Sequence, residues 1–143
     1  MYKLFTIIFC ILLLSSCTTY TIPMESFRQQ FDTINSTKLI DVTTIGPVNE
    51  LYRYKANPIS LIKCVNKNGE PAQLLNRPSI ELRATYGHKK KRVIFYFDRI
   101  YVENGLLVGY ESRFLSFIGR KIPLDSISKI EVQDGRKRFR YLN

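Results

Sequence analysis

The chain has 143 residues, 45 % of them hydrophobic, and its 22 Lys/Arg against 12 Asp/Glu give a formal net charge of +10. That length supports one domain with a real core and excludes two comfortable ones. One histidine, three cysteines, no CxxC pattern, no Gly-rich phosphate loop and no nucleotide fingerprint leave little for metal, disulfide or nucleotide chemistry.

The first stretch is an address. Lys3 supplies a positive start, and Leu4 to Leu14 is an apolar run broken only by Thr6. Eleven helical residues at ~1.5 Å each reach about 16 Å, roughly half of a ~30 Å hydrocarbon core. The run therefore predicts a signal-peptide core rather than a permanent span. Leu14-Ser15-Ser16-Cys17 closes it and resembles the lipobox of bacterial lipoproteins: a leucine, two small residues, then the cysteine that takes the lipid. The resemblance implies that residues 1–16 are removed and that Cys17 carries a diacylglyceryl group with palmitate-type chains. Two or more chains, at ~0.8 kcal/mol per buried methylene, hold a protein stably on a membrane. The alternatives are an ordinary secretory signal in which Cys17 is a bystander, or an uncleaved anchor. Thr18, rather than Asp, follows the cysteine, which by the same resemblance implies the outer membrane of a bacterial envelope, facing the periplasm.

The organisation expected is a signal peptide over 1–16, a lipidated tether with one short helix over 17–37, and an antiparallel β domain over 38–143. In the tether, Pro23 suits a first helical turn and Glu25 complements the positive helix end. Phe27 and Phe31 share one side of a helix over about Met24 to Asp32. Leu39–Val42, Glu50–Tyr54 and Ile59–Val65 read as strands, the last ending at an Asn66–Gly69 turn. Pro71 and Pro78 make Glu70 to Pro78 poor sheet material, so mostly loop is expected there. Ile80, Leu82, Ala84 and Tyr86 alternate with polar residues as a strand with one wet face. After a Gly87–Lys90 turn, Arg92 to Phe97 is apolar on both faces and is expected at the centre of a sheet. Asn104-Gly105 joins Ile100–Glu103 to Leu106–Glu111 in a hairpin, and Arg120–Leu124 is a further short strand.

Asp134-Gly135 reads as a second hairpin, between Ser128–Gln133 and Arg136–Leu142. A two-residue loop would set Ile130 opposite Phe139 and Val132 opposite Lys137 on the core side, which Tyr141 also joins. Glu131 would then meet Arg138, and Lys129 would meet Arg140 on the other face. The like-charge pair would cost a few tenths to ~1 kcal/mol unless an anion sat between. With seven or eight short strands and one helix, the fold class expected is mainly β: a small antiparallel curled sheet, an open barrel or a sandwich. The pattern from Arg92 onward, above all Ile122 to Val132, is similar to small β-rich lipoproteins of Bacteroidota. That resemblance covers about a third of the chain and carries no catalytic residue.

Charge is unevenly placed. Cys17 to Leu82 holds seven Lys/Arg against six Asp/Glu, and Arg83 to Asn143 holds fourteen against six. Candidate anion contacts are Lys89, Lys90, Lys91 and Arg92 in one cluster, and Arg136, Lys137, Arg138 and Arg140 in the other. On a tethered protein these favour anionic lipid or an acidic envelope protein as partner. Nucleic acid is disfavoured by the exported address. Enzyme chemistry has thin supply: His88 sits in a basic turn, Cys64 in an apolar run where a small buried hydrophobe is expected, and Asp98 beside Arg99 at a strand end. No catalytic residue, metal or cofactor is expected. The function expected is a non-catalytic binding or structural module.

Overall fold

The computed structural model describes residues 18–113, 115 and 117–142; the expected signal peptide over 1–16 and the lipidation site Cys17 lie outside the described residues. Twelve strands and one helix are described: β1 Thr19–Ile22, α1 Met24–Phe31, β2 Ile40–Ile45, β3 Leu51–Ala56, β4 Leu61–Val65, β5 Pro71–Leu75, β6 Ile80–Tyr86, β7 Lys91–Tyr96, β8 Tyr101–Glu103, β9 Leu106–Tyr110, β10 Gly119–Pro123, β11 Ile127–Asp134 and β12 Arg140–Tyr141. They form three antiparallel sheets, ordered β5-β4-β1-β11-β6-β7, β10-β9-β8 and β12-β2-β3. β5 and β7 end the large sheet without meeting, so it is not closed into a barrel. The fold is mainly β with one short helix, the class its alternation predicts.

Period-two patterning sets the register. On β6, Ile80, Leu82 and Ala84 are buried; on β11, Val132 lies opposite Leu82 and Ile130 opposite Ala84. A slip of one residue would turn all of these to water, so burial pins the pairing. The core continues through Ile22, Phe27, Phe31, Val93, Phe95, Phe97, Leu107 and Ile122, joining the large sheet, the helix and the β8–β10 sheet. Gly109 on β9 allows the closest approach: a Cβ there would stand 2.5 Å from Cγ of Phe95.

The helix replaces a missing strand. β1 pairs with β4 only at Thr21 and Val65, after which Pro23 diverts the chain into α1. The Gln30 carboxamide then accepts from the Lys63 backbone N–H at 2.8 Å and donates to its carbonyl at 2.9 Å, as a neighbouring strand would. Phe27 and Phe31 stack with centroids 4.6 Å apart, and Phe31 meets Phe97 at 5.8 Å.

Four expectations need correction. Thr19–Ile22 is not tether; it is an inner strand between β4 and β11. Arg92–Phe97 is not central: β7 is an edge strand whose Ile94 is 43 % exposed, its other apolar residues being covered by the β8–β10 sheet and the helical turn that follows. Pro71–Leu75 is a strand, with Pro71 as the first residue of an edge, where its missing N–H costs no ladder bond. Asp134-Gly135 does not form a hairpin. β11 already has β1 on one edge and β6 on the other, so the returning chain finds no free edge. Only Arg140–Tyr141 become strand, and they pair with Ile45 and Thr44 of β2. Glu131 accordingly pairs with Lys129 at 2.7 Å, not with Arg138.

Candidate functional site

The two basic clusters occupy opposite ends of β6. Lys89 and Lys90 belong to the turn between β6 and β7, Lys91 and Arg92 open β7, and all four are exposed. Arg136, Lys137 and Arg138 follow Gly135, whose N–H donates to the Ser79 carbonyl just before β6, at 2.9 Å. Seven residues of β6 separate these ends by about 20 Å at ~3.3 Å per step. The structure therefore does not bring the eight candidate residues together.

They also differ in availability. Lys137 reaches Glu81 at 2.9 Å and donates to the Tyr96 hydroxyl at 3.0 Å. Burial works against its charge, but the bonds to Glu81 and Tyr96 more than offset that and hold its ammonium pKa above the usual value. Lys137 is thus spent on the fold. Among the described residues, the side chains of Lys89, Lys90, Lys91, Arg92, Arg136, Arg138 and Arg140 form no ion pair. Arg136 adopts φ +52°, and its backbone N–H donates to the Asp134 carboxylate at 2.8 Å. Arg136 and Arg138 are exposed.

Among the described residues, a buried polar cluster forms around Asp98 that the sequence did not reveal. Asp98 lies in the helical turn after β7, and Arg113 lies after β9; their side chains show no exposed surface and meet at 3.1 Å. Asp98 also accepts from the hydroxyls of Tyr54 on β3 and, at 2.8 Å, Tyr141 on β12. Arg113 donates to the Pro78 carbonyl and to the Tyr54 hydroxyl, and lies 4.0 Å from the Tyr96 ring centre. Arg99, the neighbour that seemed to explain Asp98, instead donates to the Ser112 carbonyl at 2.6 Å and stacks on Tyr110 at 4.5 Å. Burial and then the Asp98 carboxylate push the Tyr54 and Tyr141 phenols far up. Burial opposes the Arg113 charge, yet Asp98 and Tyr54 outweigh it and raise its pKa; Arg99, with burial dominant, is lowered. Residues from all three sheets converge here, every Asp98 carboxylate oxygen is partnered from within, and the Asp98 side chain shows no exposed surface among the described residues. The cluster fastens the sheets together.

Other reactive groups are apart from one another. His88 is exposed in the β6–β7 turn. Cys64 is buried, its thiol directed at the Ala72 carbonyl 3.5 Å away and pushed up by burial. Among the described residues no three His, Cys, Asp or Glu side chains are grouped to hold a metal ion, and no helix is long and apolar enough to cross a membrane. A cleft of about 840 Å³ runs between β2 and the end of β5, lined by Ile40, Ile59, Leu75 and Leu142, with Asp41 and Tyr141 as its titratable groups. Thr43, Asn57, Ser60 and Asn76 make the rest of that lining mixed, and no histidine or cysteine stands in it to activate a hydroxyl or act as a nucleophile. No protein-family model, curated protein or solved structure matches the chain.

Proposed function

We propose that the chain is a bacterial envelope lipoprotein, held on the outer membrane through an acylated Cys17, whose β domain is a non-catalytic binding or structural module. The observation that carries the reading is the order of parts: a positive start, a short apolar run and Leu14-Ser15-Ser16-Cys17, followed within two residues by the first strand of the domain. Intact mass of protein purified from a bacterial membrane tests it. The chain is expected to begin at Cys17 with added acyl mass, and Cys17→Ala is expected to abolish both; a chain retaining Met1 and bearing no lipid refutes the reading.

A second reading, a tethered anion-binding module, is favoured by the exposed cations without ion pairs at 89–92 and at 136, 138 and 140. Binding of the protein to anionic vesicles or lipopolysaccharide that falls with ionic strength supports it, and binding indifferent to salt removes it.

A further inference from the structure

We propose that the loop carrying Arg136 and Arg138 rests on anionic headgroups of the bilayer that holds the lipid anchor, while the Lys89–Arg92 turn points away from it. The inference rests on the lipoprotein reading and goes beyond it, because it divides the basic residues into membrane-facing and water-facing sets.

The geometry begins with the leash. Thr19 is already strand, and two peptide units from Cys17 reach at most about 7 Å. The membrane end of the domain is therefore the end of β1 at which Thr19 sits. Thr19 lies opposite Gln133; the Gln133 carboxamide donates to Glu81 at 3.3 Å, and Glu81 pairs with Lys137 at 2.9 Å. Two side-chain steps thus connect the leash to the 136–138 loop. The chain at Gly135 is held against this end by its bond to Ser79, and Arg136 and Arg138 just beyond it are exposed. Of the acids near the loop, Glu81 is paired with Lys137 and Asp134 accepts from the Arg136 backbone N–H, while the β4–β5 turn that follows Val65 at this end adds Lys67 and Glu70, one charge of each sign. Arg136 and Arg138 keep their charge unpaired among the described residues.

Screening decides which cluster feels the membrane. At physiological ionic strength the field of an anionic surface decays over about 8 Å. A loop at the leash end lies within that length. The Lys89–Arg92 turn, about 20 Å further along β6, lies more than two such lengths away. A long tether would have let either cluster reach the surface; a two-residue one does not.

Arginine footprinting with phenylglyoxal, read site by site by mass spectrometry, tests this on the wild-type acylated protein. It is reconstituted in vesicles of phosphatidylcholine alone or of phosphatidylcholine with phosphatidylglycerol. Modification of Arg136 and Arg138 is expected to fall by about threefold or more in the anionic vesicles while Arg92 stays unchanged. At about 1 M salt, with screening over about 3 Å, the difference should vanish. Protection of Arg92 in place of Arg136 and Arg138, equal reactivity in both vesicles, or protection that survives high salt overturns the orientation. Intact mass of the same sample separates the two levels: an acylated chain with the wrong footprint removes this inference alone, whereas an unacylated chain removes the anchor and this inference with it.

Discussion

Asp98 and Arg113 each stand in for the hydration the other has lost; Arg99 also feels the Asp98 charge, but its guanidinium is spent on the Ser112 carbonyl. Removing one member of such a pair leaves a buried charge uncompensated, at a cost of roughly 3–5 kcal/mol. Arg113→Met keeps much of the bulk while deleting the charge and the guanidinium's contact with Tyr96, so it should lower the free energy of unfolding by about that much in a urea titration; an unchanged midpoint would show that the cluster does not fasten the sheets. The tyrosines add a dependence on pH. Their phenols are raised above the ordinary 10.0 by burial and by the Asp98 carboxylate. Above about pH 10 the unfolded chain loses these protons and the folded chain keeps them, so their contribution is full below about pH 10 and declines beyond it. Thermal melts between about pH 8 and about pH 12 should fall more steeply for the wild type than for the Tyr54→Phe, Tyr141→Phe double variant; parallel curves would contradict the linkage. Little of this was legible beforehand. Asp98 stood out at a strand end, but Arg99 was adjacent and offered a local explanation, whereas Arg113 becomes its partner only once three sheets are assembled.

Two identical turn signals had different fates at the scale of elements. Asn104 and Gly105 take φ +52° and +74°, the pair of left-handed conformations that joins β8 to β9 in the tight turn the dipeptide predicts. Asp134-Gly135 carries the same kind of signal and makes no hairpin. Turn chemistry reports that a chain can reverse; whether it pairs depends on a free edge, and β11 has none. The β7 strand was misplaced for a related reason. Its apolar residues on both faces suggest neighbours on both sides, yet Val93 and Phe95 are covered by a second layer while Ile94 on the other face stays 43 % exposed. Gly109 is where that layer closes. Gly109→Ala should force the Phe95 ring or β9 aside and cost about 1–3 kcal/mol, the ordinary range for overpacking a core. Combined with Phe95→Leu, the two changes together should cost less than the sum of the two measured separately. Strict additivity in denaturation would mean that Gly109 and Phe95 are not in contact.

For the whole molecule, the consequential strand is the first and one of the shortest. The residues after Cys17 read as tether because Thr18 to Ile22 is brief, polar in part and followed by proline, with nothing local to mark it as the inner neighbour of β11. The uneven charge was legible in the sequence; the separation of its two clusters required the path of the chain from β11 past β6 to β2. Tether length and membrane contact are then linked, and the link can be tested without touching the fold. A flexible Gly/Ser segment of about twenty residues placed between Cys17 and Thr18 would span about 25 Å on average, well beyond the screening length of about 8 Å. Since the insertion enters no paired backbone, stability in urea should stay within about 0.5 kcal/mol of the wild type. The extended leash lets the domain turn and rise, so the difference between Arg136/Arg138 and Arg92 in phenylglyoxal reactivity on anionic vesicles should shrink toward equality. If the two arginines stay protected at full strength, the loop finds the surface by its own affinity, and the short leash is not what orients the domain.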